Sequence, residues 1–257
     1  MIHAVWNVLL AGARDPEAAT AVALPLSAVV CAPFAVIWWQ LDAAALPFVA
    51  ASSALQLAYF SLLAAAYRRA ELSVVYPLSR GLAPVLVLVG AVAVTGAGTS
   101  AAQVLGVLLV AAGVLLVRGL RRGHGLGFGV AIACCIASYT VIDKHGVAHA
   151  SPLAYVELIT LLPGIAYAIG FSAVRGPAAL RGALGLRSLA AGLASFAAYG
   201  LVLAALKRAS AASVAAVRET SVIVATGLGA VVLRERVTPW RFAGAGLVAG
   251  GIALLSL

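Results

Sequence analysis

Residues 101–117 read AAQVLGVLLVAAGVLLV and residues 239–255 read PWRFAGAGLVAGGIALL, the second stretch lying 138 residues after the first. With that offset Gly106 falls on Gly244, Leu109-Val110-Ala111 on Leu247-Val248-Ala249, and Gly113 on Gly251. Carried upstream without a gap, the same offset sets Arg80 on Arg218, in each case an arginine inside an apolar run. Ala- and Gly-rich composition alone makes small residues coincide. An arginine at membrane depth is rare, so the Arg80/Arg218 coincidence carries most of the weight of an internal repeat.

Working outward, apolar segments fall at about 1–13, 17–39, 46–67, 72–95, 101–117, 126–142, 152–174, 188–206, 210–233 and 239–257. The chain has 257 residues, 64% of them hydrophobic and 10% charged, and its mean hydropathy is +1.10, which excludes a soluble globular domain. A hydrocarbon core of about 30 Å takes roughly 20 residues per helix, so ten spans use nearly the whole chain. The runs are continuously apolar rather than alternating, which favours helices over a transmembrane β-barrel. Gly246-x-x-x-Gly250 adds a spacing that lets helix backbones approach in lipid. Pro25, Pro33, Pro77, Pro84 and Pro163 lie inside segments, where each removes a donor and favours a kink.

The longest basic loop falls near the middle, and divides the chain into a first five-helix repeat (1–117), a linker (118–127) and a second five-helix repeat (128–257). Five is odd, so the second copy enters the membrane from the opposite face. The expected fold is therefore an all-α integral membrane protein of ten transmembrane helices, arranged as two inverted repeats. Secondary transporters are built this way, with the substrate site near the bilayer midplane.

Of the 17 basic residues, twelve lie in loops after odd-numbered segments, from Arg14 to Arg241, and three, Lys144, Lys207 and Arg208, in the others. The positive-inside rule then puts both termini outside. These charges sit singly between apolar runs, so the formal net charge of +9 reads as topology and not as a nucleic-acid surface. Cys31, Cys134 and Cys135 show no metal-ligand or disulfide spacing and read as small packing residues. The first segment, about 13 residues or roughly 20 Å, is short of the hydrocarbon thickness. That shortness leads us to expect a start further upstream than Met1.

Inside the apolar runs sit Arg80, Glu157, Arg218 and Glu219, two positives and two negatives. Each should face a partner or a cavity. Two readings stand: an ion-pair set closing the bundle, or arginines that grip an anionic group of the substrate, as a planar guanidinium can. Arg80 and Arg218 each lie eight residues into their segments, about 12 Å from opposite faces, near the midplane. If Arg80 lines a pocket, Arg80→Ala abolishes transport in folded protein; if it is an ion-pair member, the same change causes misassembly. Glu157, about five residues into its segment, is close enough to the interface to snorkel or cap.

The substrate-binding candidates are Trp6, Asn7, Tyr59, Tyr76, Ser79, Arg80, Tyr139, Tyr199, Arg218 and Glu219, polar-tipped groups suited to a mostly apolar pocket. Trp38, Trp39 and Trp240 stand at segment ends and read as interface anchors. Asp143-Lys144-His145 and His149 read as a solvated turn. Catalytic residues, metal ligands and cofactors are not expected, since G-x-S-x-G, H-E-x-x-H and phosphate-loop motifs are all missing.

Glu235-Arg236-Val237-Thr238 followed by Gly244 and Gly251, together with Pro84, Gly106, Gly113 and the stretch Tyr59 to Arg69, resembles the EamA family of the drug/metabolite transporter superfamily. His3-Ala-Val-Trp6-Asn7 is similar to the first-helix pattern of one bacterial branch. Ala97 departs from the pattern, standing where the repeat would carry the acid equivalent to Glu235. The resemblance implies ten helices in two repeats and a permease or exporter of small metabolites, amino-acid-like or anionic compounds among them. It also implies cytoplasmic termini, opposite to the charge count. Small multidrug relatives use a first-helix Glu for proton exchange, and this segment has Asn7 and no carboxylate. The expected partners are a small-molecule substrate and the lipid bilayer, with no nucleic acid and a homodimer left open. The expected location is the cell inner (cytoplasmic) membrane, spanned many times. The competing class is a non-transporting membrane scaffold or an intramembrane lipid-modifying enzyme, which a vesicle transport assay separates.

Overall fold

The structure, a computed structural model, describes residues 6, 9–10, 13–70, 72–96, 98–118, 125–220 and 239–255. Its helices are α1 (Pro16–Ile37), α2 (Leu46–Arg69), α3 (Leu72–Thr95), α4 (Ala101–Arg118), α5 (Leu126–Gly146), α6 (Pro152–Arg175), α7 (Pro177–Ala183), α8 (Leu186–Leu206), α9 (Ala211–Arg218) and α10 (Pro239–Leu255). Trp6, Leu9 and Leu10 are helical too. Among the described residues, β structure is limited to an isolated antiparallel bridge between Leu41 and Ala150.

Five helical stretches among the described residues are long and apolar enough to cross a membrane: Pro16–Ile37, Ala43–Ala66, Leu126–His149, Pro152–Arg175 and Leu186–Leu206. Leu78–Val94, Ala101–Val117 and Phe242–Leu255 are apolar but shorter. Large apolar side chains lie open on these helices, Val174 and Leu186 at 82% exposure and Val29, Ile37 and Leu201 well exposed. Water penalises such a surface, whereas lipid tails solvate it, as a multi-pass membrane protein requires.

Local chemistry sets several helix ends. Asp15 accepts from the N–H groups of Glu17 and Ala18, each at 3.1 Å, and Pro16 follows it, so α1 starts there. Ser151 and Pro152 start α6 in the same manner, with Ser151 Oγ accepting from Ala154 N–H at 3.2 Å. Between α6 and α7 the backbone turns at Gly176, whose φ of 81° suits a residue without Cβ. The helix α7 lies where the sequence suggests only a basic loop. Pro25 and Pro33 lie within α1 and Pro163 within α6, and both helices continue through them. The described part of the ninth apolar segment reaches Thr220; the rest, 221–233, is outside the described residues.

The chain divides into two compact units, each drawing on early and late sequence: Met1–Ser61 with Ile142–Arg208, and Leu62–Val141 with Ala209–Leu257. In the first, α1 and α6 run antiparallel, Gly164 meeting Leu24 and Pro25 while Phe171 packs on Ala18 and Ala21. Leu180 and Ala183 of α7 cover the latter cluster. Gly192 of α8 lies against the Ala23 carbonyl, an approach a side chain would block.

One end of this unit is tied across its loops. Asp42 N–H donates to the His149 carbonyl at 3.0 Å, and Ser151 N–H to the Gln40 carbonyl at 2.7 Å. Ser151 Oγ donates to the Trp38 carbonyl at 2.7 Å, and Lys207 Nζ to the Ala150 carbonyl at 2.8 Å. Phe48 stacks on His145 and His149 at 6.4 and 6.1 Å between ring centres.

In the second unit, α4 and α10 cross with touching backbones. A Cβ on Gly113 would lie 2.5 Å from the Gly244 carbonyl oxygen, and one on Gly244 2.7 Å from that of Gly113. Gly106 and Gly251 repeat the arrangement at 2.9 and 2.6 Å. The pairs 106/251 and 113/244 run in opposite senses along the two helices, and the 138-residue offset exchanges one pair for the other. Gly246 and Gly250, by contrast, face open space, so the seam uses other glycines than the spacing noted in the sequence.

Candidate functional site

In the second unit, α3 and α9 bring Arg80 and Glu219 together. Arg80 Nη1 stands 3.5 Å from Glu219 Oε1, both side chains buried. Ser210 sets the start of α9 by accepting from Ser213 N–H at 3.1 Å, and Glu219 follows the last residue of that helix, Arg218, which is half-buried. Adjacent helical side chains diverge, so Glu219 can meet α3 while Arg218 points elsewhere. Ser79 and Tyr139 are buried in the same unit. The arrangement gives Arg80 a carboxylate partner, the ion-pair alternative of the sequence reading, and a paired guanidinium can still exchange partners with an anionic ligand.

In the first unit a site appears that sequence reasoning missed. Asp143 is 0% exposed. Tyr155 donates its hydroxyl to Asp143 Oδ1 at 3.0 Å and Tyr199 to Oδ2. Both carboxylate oxygens thus take charge-assisted hydrogen bonds, the shorter and stronger kind. Gly146, one turn on, makes the room: a Cβ there would lie 2.6 Å from Tyr155 Cε2 and 2.7 Å from Phe48 Cβ. The solvated turn expected at Asp143 is corrected to a buried helical position, because the helix meets no breaker before Gly146. Lys144 donates to the Leu206 carbonyl at the end of α8.

Glu157 of α6 is also corrected. It neither snorkels nor caps: the residue is 4% exposed and its Oε2 has no hydrogen-bond partner among the described residues.

Of the remaining candidates, Trp6 packs in the first unit with Leu10, Ala19, Ala23 and Ala191. Tyr59, half-buried, meets the Phe60 ring edge-on at 5.1 Å. Asn7 and the side chain of Tyr76 lie outside the described residues. The structure thus brings Arg80 together with Glu219, and Tyr199 with Asp143. Cys31 and Cys135 are half-buried and Cys134 is exposed, so Cys134 does not pack as expected. Trp38, Trp39 and Trp240 are exposed, consistent with interface anchoring. Among the described residues no cluster of three His, Cys, Asp or Glu side chains is placed to hold a metal ion.

Comparison with known proteins adds three findings. No curated protein sequence matches the chain. Among 18 matching solved chains, one crystal structure superposes with a TM-score of 0.76 at 17% identity, covering 100% of this chain and 95% of its own, which shows a common fold. The pattern of the EamA-like transporter family matches residues 123–257, more than half of the length. The chain belongs to the EamA-like transporter family, a membrane-transporter family of the drug/metabolite transporter superfamily.

Proposed function

We propose that the protein is a secondary transporter of small metabolites, amino-acid-like or anionic, which works by alternating access in the cell inner membrane. In this reading the chain is two inverted five-helix repeats, 1–117 and 128–257, joined by 118–127. The observation that carries it is the α4–α10 seam, whose glycine pairs are interchanged by the 138-residue offset, as a twofold axis between inverted copies requires. Family membership supports transport over scaffolding or lipid chemistry.

Arg80, Arg218 and Glu219 serve as the charged gate: an anionic substrate group competes with Glu219 for Arg80, opening the pair as it binds. Ser79 and Tyr139 in the second unit, Trp6, Tyr59 and Tyr199 in the first, and Asn7 and Tyr76 complete the set of substrate-contacting candidates. The test is uptake of labelled amino acids and small carboxylates into vesicles holding the purified protein. The double variant Arg80→Gln/Glu219→Gln, neutral at both positions, should remain folded and lose uptake. Unchanged uptake by that variant removes the pair from the transport cycle.

A further inference from the structure

Glu157 stands apart from Asp143 and Glu219, two other buried acids among the described residues. Asp143 has a phenol on each oxygen, and Glu219 faces Arg80. Glu157 lies inside the span Pro152–Arg175 with Oε2 buried and no donor to it among the described residues. A second polar atom in the same condition, Ser53 Oγ of α2, lies in the same unit. Phe48 meets His149 just ahead of α6, and Phe60 meets Tyr167 further along it, so α2 and α6 run in one direction and touch through these rings. An unsatisfied buried polar group in a membrane protein is costly, and a buried carboxylate charge more so than a hydroxyl.

We propose that Glu157 is the group at which this transporter binds and releases a coupling proton. This rests on the transport reading above. The step is a simple protonation: a carboxylate oxygen takes a proton from one aqueous side, becoming a neutral carboxyl, and returns it to the other side. A proton needs one oxygen, whereas an alkali cation needs a shell of them.

The titratable groups on neighbouring elements leave this position to Glu157. On α1, the antiparallel register with α6 sets Cys31 near the level of Glu157, and Glu17 lies fourteen residues earlier, about 21 Å along the helix. On α8, Tyr199 is engaged with Asp143, as is Tyr155 of α6 itself, and Arg187 stands at the start of α8, about 18 Å from Tyr199. Arg175 is the last residue of α6, about 27 Å along the helix from Glu157, and Arg181 of α7 comes after it. On α2, Tyr59 lies beside Phe60, level with Tyr167. On α5, Lys144 is held at the Leu206 carbonyl, and His145 is stacked on Phe48.

Two measurements on the full-length protein in vesicles decide the matter. Infrared difference spectra recorded across a pH titration should show a carboxylic-acid band that disappears in Glu157→Gln; a band unchanged in that variant, or none in the parent, overturns the proposal. With a labelled amino-acid mixture and an imposed gradient of one pH unit, the parent should concentrate label about tenfold for one proton per substrate. Glu157→Gln should hold the ratio at one, and Glu157→Asp, which keeps the carboxyl, should restore concentration. Equal concentration by Glu157→Gln, or concentration driven by sodium and not by pH, overturns coupling at Glu157 and leaves transport intact. Failure of the parent to take up any label counts against the transport reading and takes the coupling role with it, while the infrared band still reports whether Glu157 accepts a proton.

Discussion

Glu219 and Glu157 are the same side chain, each 4% exposed, in different units of the molecule, and their surroundings oppose one another. Glu219 meets a guanidinium, so its charge is compensated where it stands. Glu157 keeps one oxygen without a donor among the described residues. The difference teaches that burial alone does not assign a role to an acid. A compensated charge belongs to the architecture or to a gate, and removing its partner is expensive; an uncompensated one is cheap to neutralise and therefore suited to changing state.

Four tests sharpen or break that contrast. The largest effect is expected for Arg80→Ala, which leaves Glu219 buried without its cation and should cost about 3–5 kcal/mol of stability. Thermal unfolding of the purified protein reads this, and adding Glu219→Ala should recover most of the loss; parent-like stability of the single variant would mean that the pair is idle. Tyr199→Phe deletes a donor to the Asp143 carboxylate and should cost about 1.5–3 kcal/mol, visible as a lower unfolding midpoint. Gly113→Leu forces a side chain onto the Gly244 carbonyl and should cost about 1–3 kcal/mol, whereas Gly246→Leu on α10, with open space around it, should cost almost nothing. Equal behaviour of the two glycine variants in size-exclusion and melting experiments would contradict the seam. Glu157→Gln should move stability least, by less than about 1 kcal/mol, because it removes a charge held without a full set of donors. A loss as large as that of Arg80→Ala would erase the distinction between the two acids.

The offset marked Gly106, Gly113, Gly244 and Gly251 as repeat-related positions without joining them; that they are where backbones meet, Gly106 with Gly251 and Gly113 with Gly244, is a tertiary fact. The helical segments were legible, since hydropathy reports on lipid directly. Asp143 was not. A charge at the end of an apolar run looks the same whether it faces water or two phenols, and Tyr155 and Tyr199 come from helices 12 and 56 residues further on. Gly146 was the available hint, a missing side chain one turn beyond the acid. Glu157 was read as a snorkelling or capping group from its short distance to the helix start, while its burial is decided by the neighbours of α6. The partner of Arg80 was narrowed to another helix by the adjacency of Arg218 and Glu219, but which helix answers it is a tertiary fact. The Gly246-x-x-x-Gly250 spacing was the misleading signal, since both residues look outward.

Ser151 starts α6 with its hydroxyl and uses the same oxygen to hold the carbonyl of Trp38. Trp38 and Trp39 are large, exposed indoles of the kind that float at the headgroup level. Anchored there, they would form a waterline mark tied to the first turn of α6. Six residues below Ser151, about 9 Å down the helix, comes Glu157, so a bilayer that thins or thickens carries that acid with the mark and leaves its distance to the aqueous phase nearly constant.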